Sequence, residues 1–329
     1  MGFTIYSSSD SGAPTLNGLT GSLLSVLDAC LVNGYGTKIA AGWTKPLPNT
    51  SSYGCYKQGT GSLFYLFAYD AGSGSAAGTE AQMSGWDSIT SIVNGSVTGN
   101  NPFPTYGQLT IGPGTGSASG AVIYRKSIAP NATARTWIVF ADSSSLYMFS
   151  ISGDSGGTYT GFSFGDFYSL RSGSVDTSRC LIIGRSVISS STITSDKLDV
   201  LSTSNPMTAT AGHFAAHTFS GASGSITLSK HGDGIKGGAS GSLCGVIQYL
   251  NSVDNGLYIS PVWIVETAIA SVRGRMRGFY HLCHPTSSFT DGQVFSGSGD
   301  FPNRTFRVIV PTGNNGAYFM ETSDTLETN

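Results

Sequence analysis

The sequence predicts an α+β fold that is strongly dominated by β-structure. We expect antiparallel sheets in a sandwich-like arrangement, with one N-terminal amphipathic helix packed on a sheet. Three observations support this class. Only 11% of the 329 residues are charged, against roughly 25% in ordinary soluble domains. Glycine contributes 45 residues, which favours turns. Short apolar segments bounded by Gly, Pro, Asn and Asp are typical of strands.

The helix is predicted near the N-terminus. Leucines recur at helical spacing at positions 16, 19, 23, 27 and 31. Thr20 or Ser22 is a candidate N-cap, and Asn33-Gly34 supplies the left-handed residue that commonly ends a helix. One apolar stripe on a short helix indicates packing over a sheet.

The strands follow the helix. "YGCYK" and "LFYLFAYD" flank a Gly-Thr-Gly turn and predict a hairpin. In "ARTWIVFAD", Trp137 and Val139 alternate with Ile138 and Phe140. Because the residues on both sides of this strand are apolar, we expect it to be buried on both faces.

The chain divides into two predicted β regions. Residues 1–185 carry the helix and the first strands, and residues 225–329 form a C-terminal β domain. Between them, residues 186–224 are rich in Ser and Thr and are predicted to be a junction. The Gly-rich tracts "GSGSAAGTE" and "TIGPGTGSASG" are predicted loops.

Charge and cysteine usage exclude several classes of function. A net charge of −2 and a pI near 6.2 give no electrostatic basis for nucleic-acid binding. No apolar run predicts membrane insertion, and the N-terminus does not read as a signal peptide. The five widely spaced cysteines form no C-x-x-C pair, which indicates folding in a reducing cytoplasm. We expect no cofactor and no metal.

A nucleophile motif stands in "SISGDSGGTYTG", where Ser155 lies in Gly-Asp-Ser-Gly-Gly. All five histidines follow Ser155, which excludes the trypsin-like chain order. The strand–turn–helix of an α/β-hydrolase fails as well, because "TYTGFSFG" predicts a turn and a strand. We interpret the motif as a hairpin turn and expect no catalytic residue there.

Two histidine groups are weaker candidates. His231 and Asp233 form a potential acid–base pair in "KHGDG", although a polar turn is the preferred interpretation. His281, Cys283 and His284 are zinc-ligand types in "HLCHP". A fourth ligand at the expected spacing is missing, which favours ordinary strand residues.

The basic cluster of the chain is "VRGRMRG", with Arg273, Arg275 and Arg277 at strand alternation. These arginines are candidate partner contacts, to a phosphate or an acidic protein surface. Salt bridges to a neighbouring strand or subunit are the preferred interpretation.

Several stretches together resemble a poorly characterised family of tailed-bacteriophage virion proteins. They include residues 6–45, "NPFPT", "YRKS", "RTWIVFAD", "FSFGDF", "GLYISPVWIVE", "VRGRMRGFYHLCHP" and "FMETSD". The resemblance follows the same order along nearly the whole chain. It implies a structural, tail-associated virion component made in the bacterial cytoplasm, and it implies no catalytic residues.

The sequence therefore predicts a non-enzymatic subunit of the tail, baseplate or fibre-attachment region, whose partners are other copies and other virion proteins. A capsid-surface decoration protein is the first alternative. A host-glycan or receptor-binding module is the second, with Trp43, Trp86 and Trp263 as candidate stacking residues. A depolymerase or esterase is the third, with Ser155 or Asp233 as candidate residues.

Overall fold

The structure, a computed structural model, describes residues 2–71, 79–93, 95–104, 120–151, 153, 159–171, 176–185, 211–219, 221, 224–229, 256–266, 271–310 and 317–323. Within these ranges the chain forms 18 strands and one short α-helix. The strands are β1 (Thr4–Ser7), β2 (Tyr53–Lys57), β3 (Tyr65–Tyr69), β4 (Glu80–Val93), β5 (Ser96–Phe103), β6 (Val122–Arg125), β7 (Thr136–Ala141), β8 (Ser145–Ile151), β9 (Tyr159–Asp166), β10 (Tyr168–Ser169), β11 (Cys180–Arg185), β12 (Ala211–Ala215), β13 (Gly224–Ser229), β14 (Ile259–Glu266), β15 (Ser271–Leu282), β16 (Val294–Ser296), β17 (Thr305–Ile309) and β18 (Tyr318–Glu321). The helical segments are α1 (Ser22–Leu27), a π-helical continuation (Asp28–Asn33) and a 3-10 turn (Thr286–Ser288).

The described strand pairs are all antiparallel and form two sheets. The central sheet runs through β1, β7, β8, β9, β11 and β12, and β6, β4, β3 and β2 continue it from β11. The outer sheet contains β14, β15, β18, β17 and β16, with β10 beside β15. β13 pairs with β12 on one side and with β14 on the other, so it connects the sheets. The predicted β-dominated, antiparallel class is confirmed.

The two faces of the central sheet carry separate cores. On one face, α1 packs through Leu23 and Leu27 against a cluster that includes Val139 and Met148. On the other face, Ile138 and Phe140 join a cluster that includes apolar residues of the outer sheet. β7 is therefore buried on both faces, as its sequence predicts, and the layers run helix, central sheet, outer sheet.

The helix begins later than the leucine spacing predicts. It starts at Ser22, because Gly21 has a φ of 83°, a left-handed conformation that interrupts a helix. The prediction of Thr20 or Ser22 as N-cap is wrong, since Gly21 holds that position without a side-chain hydrogen bond. The predicted stop is confirmed, as Gly34 follows the π-helical turn with a φ of 74°.

The proposed division of the chain stays a prediction. β12 lies inside the predicted junction 186–224, and residues 186–210 lie outside the described part. The core between the two sheets combines residues of the first predicted region, such as Phe140 and Ile183, with Ile264 and Phe279 of the second. The two regions thus share one apolar core.

Candidate assembly surface

The hairpin of β4 and β5 extends past its neighbours in the central sheet. β3 pairs with β4 only as far as Trp86, and β6 pairs with it only from Glu80 to Met83. Beyond Trp86, no other described strand pairs with the hairpin, whose strands stay paired to Val93 and Ser96 with a β-bulge between Ile89 and Ser91. We call residues 87–93 and 95–101 the β4–β5 arm. At about 3.4 Å per residue its length is roughly 24 Å.

Close backbone approaches fix the root of this arm. Phe103 is fully buried, and its ring faces Gly85 so closely that a Cβ there would lie 2.1 Å from Cζ. A Cβ on Gly99 would lie 2.1 Å from the Ser88 carbonyl oxygen and 3.1 Å from the Trp86 ring. Both glycines are therefore needed for the strands to approach, and the arm leaves the sheet in a defined direction.

A polar contact holds the arm at the same level. Asp87 of β4 accepts a hydrogen bond of 2.7 Å from Asn101 Nδ2, and its carboxylate lies 2.9 Å from His217 Nε2. His217 Nδ1 lies 2.6 Å from the Gly221 carbonyl oxygen. Because both ring nitrogens of His217 already face oxygen atoms, this histidine ties the arm to the segment after β12 and has no free nitrogen to act as a general base.

Beyond Asp87 at its root, the arm and the sequence after it carry no formal charge as far as Tyr124. From Ser88 to Tyr124 there is no Asp, Glu, Lys or Arg. Val93 at the tip is 64% exposed, and Ser96, Thr98 and Asn100 are exposed along β5. Natural edge strands are commonly blunted by charged residues, especially lysine. The arm therefore presents a neutral strand edge of a kind that folded proteins ordinarily protect.

The charged residues of the chain lie inside it to an unusual degree. Ten Asp, Glu, Lys or Arg residues of the described part are buried, out of 17 basic and 19 acidic residues in the chain. Each of the ten takes part in an ion pair, as expected for charges removed from water. The ten are Asp70, Glu80, Arg125, Lys126, Asp142, Asp166, Asp176, Glu266, Arg273 and Glu321. These ten charges are therefore absent from the surface of the part of the chain that the structure describes.

The most deeply buried of these pairs anchors α1. Lys126 Nζ lies 2.5 Å from Asp70 Oδ1 and 2.9 Å from Ser22 Oγ, and both charged side chains are fully buried. Asp70 Oδ2 accepts the backbone N–H of Leu23 at 2.8 Å, in place of an N-cap side chain. Burial raises the pKa of Asp70 to about 6, although the Lys126 charge opposes the rise. Burial likewise lowers the pKa of Lys126, against the opposing charge of Asp70.

A β-bulge breaks the predicted row of arginines. Ile264 pairs with Gly274 but Val265 pairs with Val272, so Arg273 is the extra residue between them. Arg273 is fully buried, although alternation placed it beside Arg275 and Arg277.

Arg273 is bound within the chain. Its Nη2 lies 2.5 Å from Asp176 Oδ2, its Nε lies 3.2 Å from Glu266 Oε1, and its guanidinium carbon lies 4.6 Å from the Phe219 ring centroid. The prediction of a partner contact at Arg273 is therefore corrected, because a buried guanidinium with these neighbours cannot reach another molecule.

The other two arginines are both half-buried. Arg277 Nη2 lies 2.8 Å from Asp142 Oδ2, and the same guanidinium donates to Ser144 and Ser145, so it too is bound within the chain. Arg275 is half-buried, with its guanidinium carbon 5.2 Å from the Tyr168 ring centroid. A partner contact at Arg275 stays a prediction.

A polar groove lies beside α1, with a volume of about 460 Å³. The Asp28 carboxylate in its lining already accepts Lys45 Nζ at 2.8 Å and Tyr56 Oη at 2.8 Å. The groove therefore offers mainly neutral hydrogen-bonding groups. Its polar lining includes Thr15, Asn17, Thr20, Ser25, Asn49 and Thr50.

The structure describes some of the other candidate residues and not others. Ser155, His231 and Asp233 lie outside the described residues, as do most of the Gly-rich tracts. Trp43 and Trp86 are buried core residues, and they donate to Asp142 O and Ser84 Oγ. They cannot stack on a sugar, which corrects that part of the glycan hypothesis. Trp263 is half-buried.

The predicted zinc candidates lie in the outer sheet and the turn after it. His284 Nε2 accepts the backbone N–H of Tyr258 at 2.7 Å, and the His281 ring packs on Tyr318. Across the described residues, no group of three or more His, Cys, Asp or Glu side chains is placed to hold a metal ion. Nor does any helix in the described part have the length and apolarity needed to cross a membrane.

Three features of the site were missed by sequence reasoning: the β4–β5 arm, the charge-free stretch that includes it, and the Asp70–Lys126 pair. The β4–β5 arm is signalled by Asn94-Gly95, a common two-residue hairpin turn, between two strand-like segments, and Gly95 has a φ of 81°. The absence of charge from Ser88 to Tyr124 is also visible in the sequence. The Asp70–Lys126 pair has no such signal, because the two residues meet only in the fold.

A scan of the sequence against protein-family models matches no family, and a search of curated proteins finds no similar protein. The function is therefore proposed from the residues and contacts described above.

Proposed function

We propose that this chain is a structural subunit of a tailed-phage virion, in the tail, baseplate or fibre-attachment region, and that it acts through protein–protein assembly. The observation that carries the proposal is the β4–β5 arm, a neutral strand pair that other described strands leave unpaired beyond Trp86. The resemblance of the sequence motifs to tailed-phage virion proteins supplies the biological context.

The physical argument starts from the exposed edges of the arm. An isolated two-stranded hairpin is marginally stable in water, and its unpaired N–H and C=O groups can pair with another chain. Beyond Asp87 at its root, the arm lacks the charged residues that usually prevent such pairing. In a symmetric particle this absence is an advantage, because the edge is covered by a neighbouring subunit.

The buried charges support the same proposal. The ion pairs Lys126–Asp70 and Arg273–Asp176 fix elements within the subunit and remove these four charges from its surface. A surface of Ser, Thr, Asn and Gly forms contacts by hydrogen bonding and shape, with little electrostatic steering. Such contacts suit a subunit that associates at high local concentration during particle assembly.

The test uses the full chain and an arm-shortened variant. In the variant, residues 88–100 are replaced by a Gly-Gly turn, which leaves Trp86 and Phe103 in place. We expect the full chain to form symmetric oligomers, or to bind a virion component from the same phage, in sedimentation experiments. The arm-shortened variant should lose this association and still unfold cooperatively in urea, because Trp86 and Phe103 of the core stay in place. A full chain that stays monomeric and binds no virion component would contradict the proposal.

Location is measured separately. Electron cryomicroscopy of the intact particle assigns the density for this chain to the tail, where we expect it, or to the capsid surface. Density at the capsid surface would replace the tail assignment and keep the structural role. Absence from the particle would overturn the role altogether.

A further inference from the structure

We propose that the outer edge of β5 pairs with the same edge of a second copy of this chain, antiparallel and about a twofold axis centred on Thr98. This inference rests on the proposed function, since it names the partner and geometry of one assembly contact.

The geometry of β5 defines which groups are available. Thr98 directs its carbonyl toward β4, because it accepts a hydrogen bond of 3.1 Å from Thr90 Oγ1. Backbone groups of successive residues in an antiparallel strand point to opposite edges. The N–H and C=O groups of Val97 and Gly99 therefore point to the outer edge of β5, where no described strand pairs with them.

The extent of this edge is limited at both ends. The turn at Gly95 ends it on one side. On the other side Asn101 has a φ of 46°, which breaks the extended conformation, and Pro102 has no N–H to donate. The extended edge is therefore residues 96–100, which is close to the average strand length of about 5–6 residues. Its midpoint is Thr98.

Such an edge is complementary to itself. In a twofold antiparallel pair centred on Thr98, Val97 of one copy faces Gly99 of the other, and the N–H and C=O groups of both residues pair across the axis. The two Thr98 side chains meet at the non-hydrogen-bonded position, where threonine pairs contribute favourably.

The self-complementary edge favours a second copy as the occupant, and its lack of charge permits the pairing. A twofold axis places identical side chains opposite one another, so any charge on this edge would face a like charge. Residues 96–100 are Ser, Val, Thr, Gly and Asn, and none of them carries a charge. Self-pairing therefore carries no repulsion at the axis, and each outward N–H and C=O group of the edge meets its complement on the second copy.

The experiment introduces charge at the axis. Thr98→Lys and Thr98→Glu replace an exposed side chain, so both variants should fold with the urea midpoint of the parent chain. Each variant alone places like charges at the axis, and we expect the self-association constant to fall by at least about tenfold. A one-to-one mixture of the two variants should recover the association. Thr290→Lys, at an exposed loop position, is the matched control and should associate as the parent does.

Analytical ultracentrifugation across a concentration series gives the constants. Hydrogen–deuterium exchange adds an independent reading, because the outward amides of Val97 and Gly99 should become protected as concentration rises. Association that is unchanged in both Thr98 variants would overturn the inference and leave the proposed function standing, since another face would then carry assembly. A parent chain that is monomeric alone but binds a virion component would also overturn the self-pairing inference and leave the proposed function standing. A parent chain that does neither would overturn both.

Discussion

The Asp70–Lys126 pair that holds α1, which we call the α1 anchor, and the β4–β5 arm differ in how much charge they carry and how deeply it is buried. α1 is fixed by a fully buried ion pair, in which Lys126 contacts Asp70 and Ser22 while Asp70 accepts the N–H of Leu23. The arm is fixed at its root by glycine and apolar contacts and by the contacts of Asp87 with Asn101 and His217, and it carries no charge beyond Asp87.

This difference separates two uses of polar groups. A buried ion pair specifies one arrangement, because breaking it leaves an unpaired charge in a dry environment. A neutral strand edge specifies little within the subunit and keeps its hydrogen-bonding groups available to another chain. The chain therefore places its charges where a single arrangement is required and leaves them out where it is proposed to meet a partner.

The largest expected effect comes from breaking the anchor. Lys126→Met leaves the Asp70 carboxylate buried without its counter-ion, and we expect the free energy of unfolding to fall by about 3–5 kcal/mol. Urea denaturation followed by circular dichroism measures the loss. Adding Asp70→Asn to this variant should cost less than the sum of the two single changes, because no charge is left unpaired.

Lys45→Met is the matched control for this comparison. Lys45 pairs with Asp28 at 2.8 Å, but both side chains are about one quarter exposed. We expect the control to lose about 1 kcal/mol or less, as surface ion pairs usually do. Equal losses at Lys126 and Lys45 would show that burial gives the α1 anchor no special weight.

The second effect compares the stability that the fully buried Arg273 contributes with that of the half-buried Arg275. Arg273→Met leaves Asp176 and Glu266 without their common partner, and should cost about 2–4 kcal/mol in the free energy of unfolding. Arg275→Met, two residues along the same strand, should cost about 1 kcal/mol or less. The same urea experiment measures both losses. A larger loss in Arg275→Met than in Arg273→Met would contradict the interpretation that the bulge places Arg273 in a structural role.

The third effect concerns the root of the arm. Gly85→Ala would place a Cβ 2.1 Å from the Phe103 ring, an overpacking that we expect to cost about 1–3 kcal/mol. Adding Phe103→Leu should recover part of the loss, because the smaller side chain makes room. Hydrogen exchange in residues 96–101 should rise in Gly85→Ala, since the root positions the arm. Hydrogen exchange in residues 96–101 at the parent rate would show that the order of the arm does not depend on packing at its root.

Much of the fold is accessible from the sequence because it depends on local patterns. The alternation of Trp137 to Phe140 predicts a strand buried on both faces, and the structure confirms it. The helix start was misplaced, because leucine spacing does not reveal that Gly21 takes a left-handed conformation.

The candidate site was harder to predict, because it depends on contacts between distant residues. Alternation put Arg273 in line with Arg275, but the bulge in β15 is set by pairing with β14. Asp70 and Lys126 are 56 positions apart in the printed sequence, and no spacing rule brings them together. The proposed subunit role and the virion location stay predictions that the experiments above are designed to test.

The smallest effect is a pH dependence that belongs to the anchor alone. The pKa of Asp70 in the folded chain is about 6, above its ordinary value of 3.8. The native state therefore binds a proton more readily than the unfolded state, so the contribution of this carboxyl to stability is complete below pH 3.8 and is lost as the pH rises through about 6.

Lowering the pH from 7 to 5 should consequently raise the stability of the parent by about 1 kcal/mol relative to Asp70→Asn, which cannot titrate at this position. Urea midpoints of both proteins at the two pH values give this difference, and subtraction removes the contributions of other carboxyls such as Asp166, whose pKa burial also raises. A variant with the arm shortened should show the same pH difference as the parent, because the arm carries none of the groups involved. If lowering the pH instead destabilises the parent relative to Asp70→Asn, the native state favours the ionised Asp70. The attraction of Lys126 would then outweigh the cost of burying the Asp70 carboxylate.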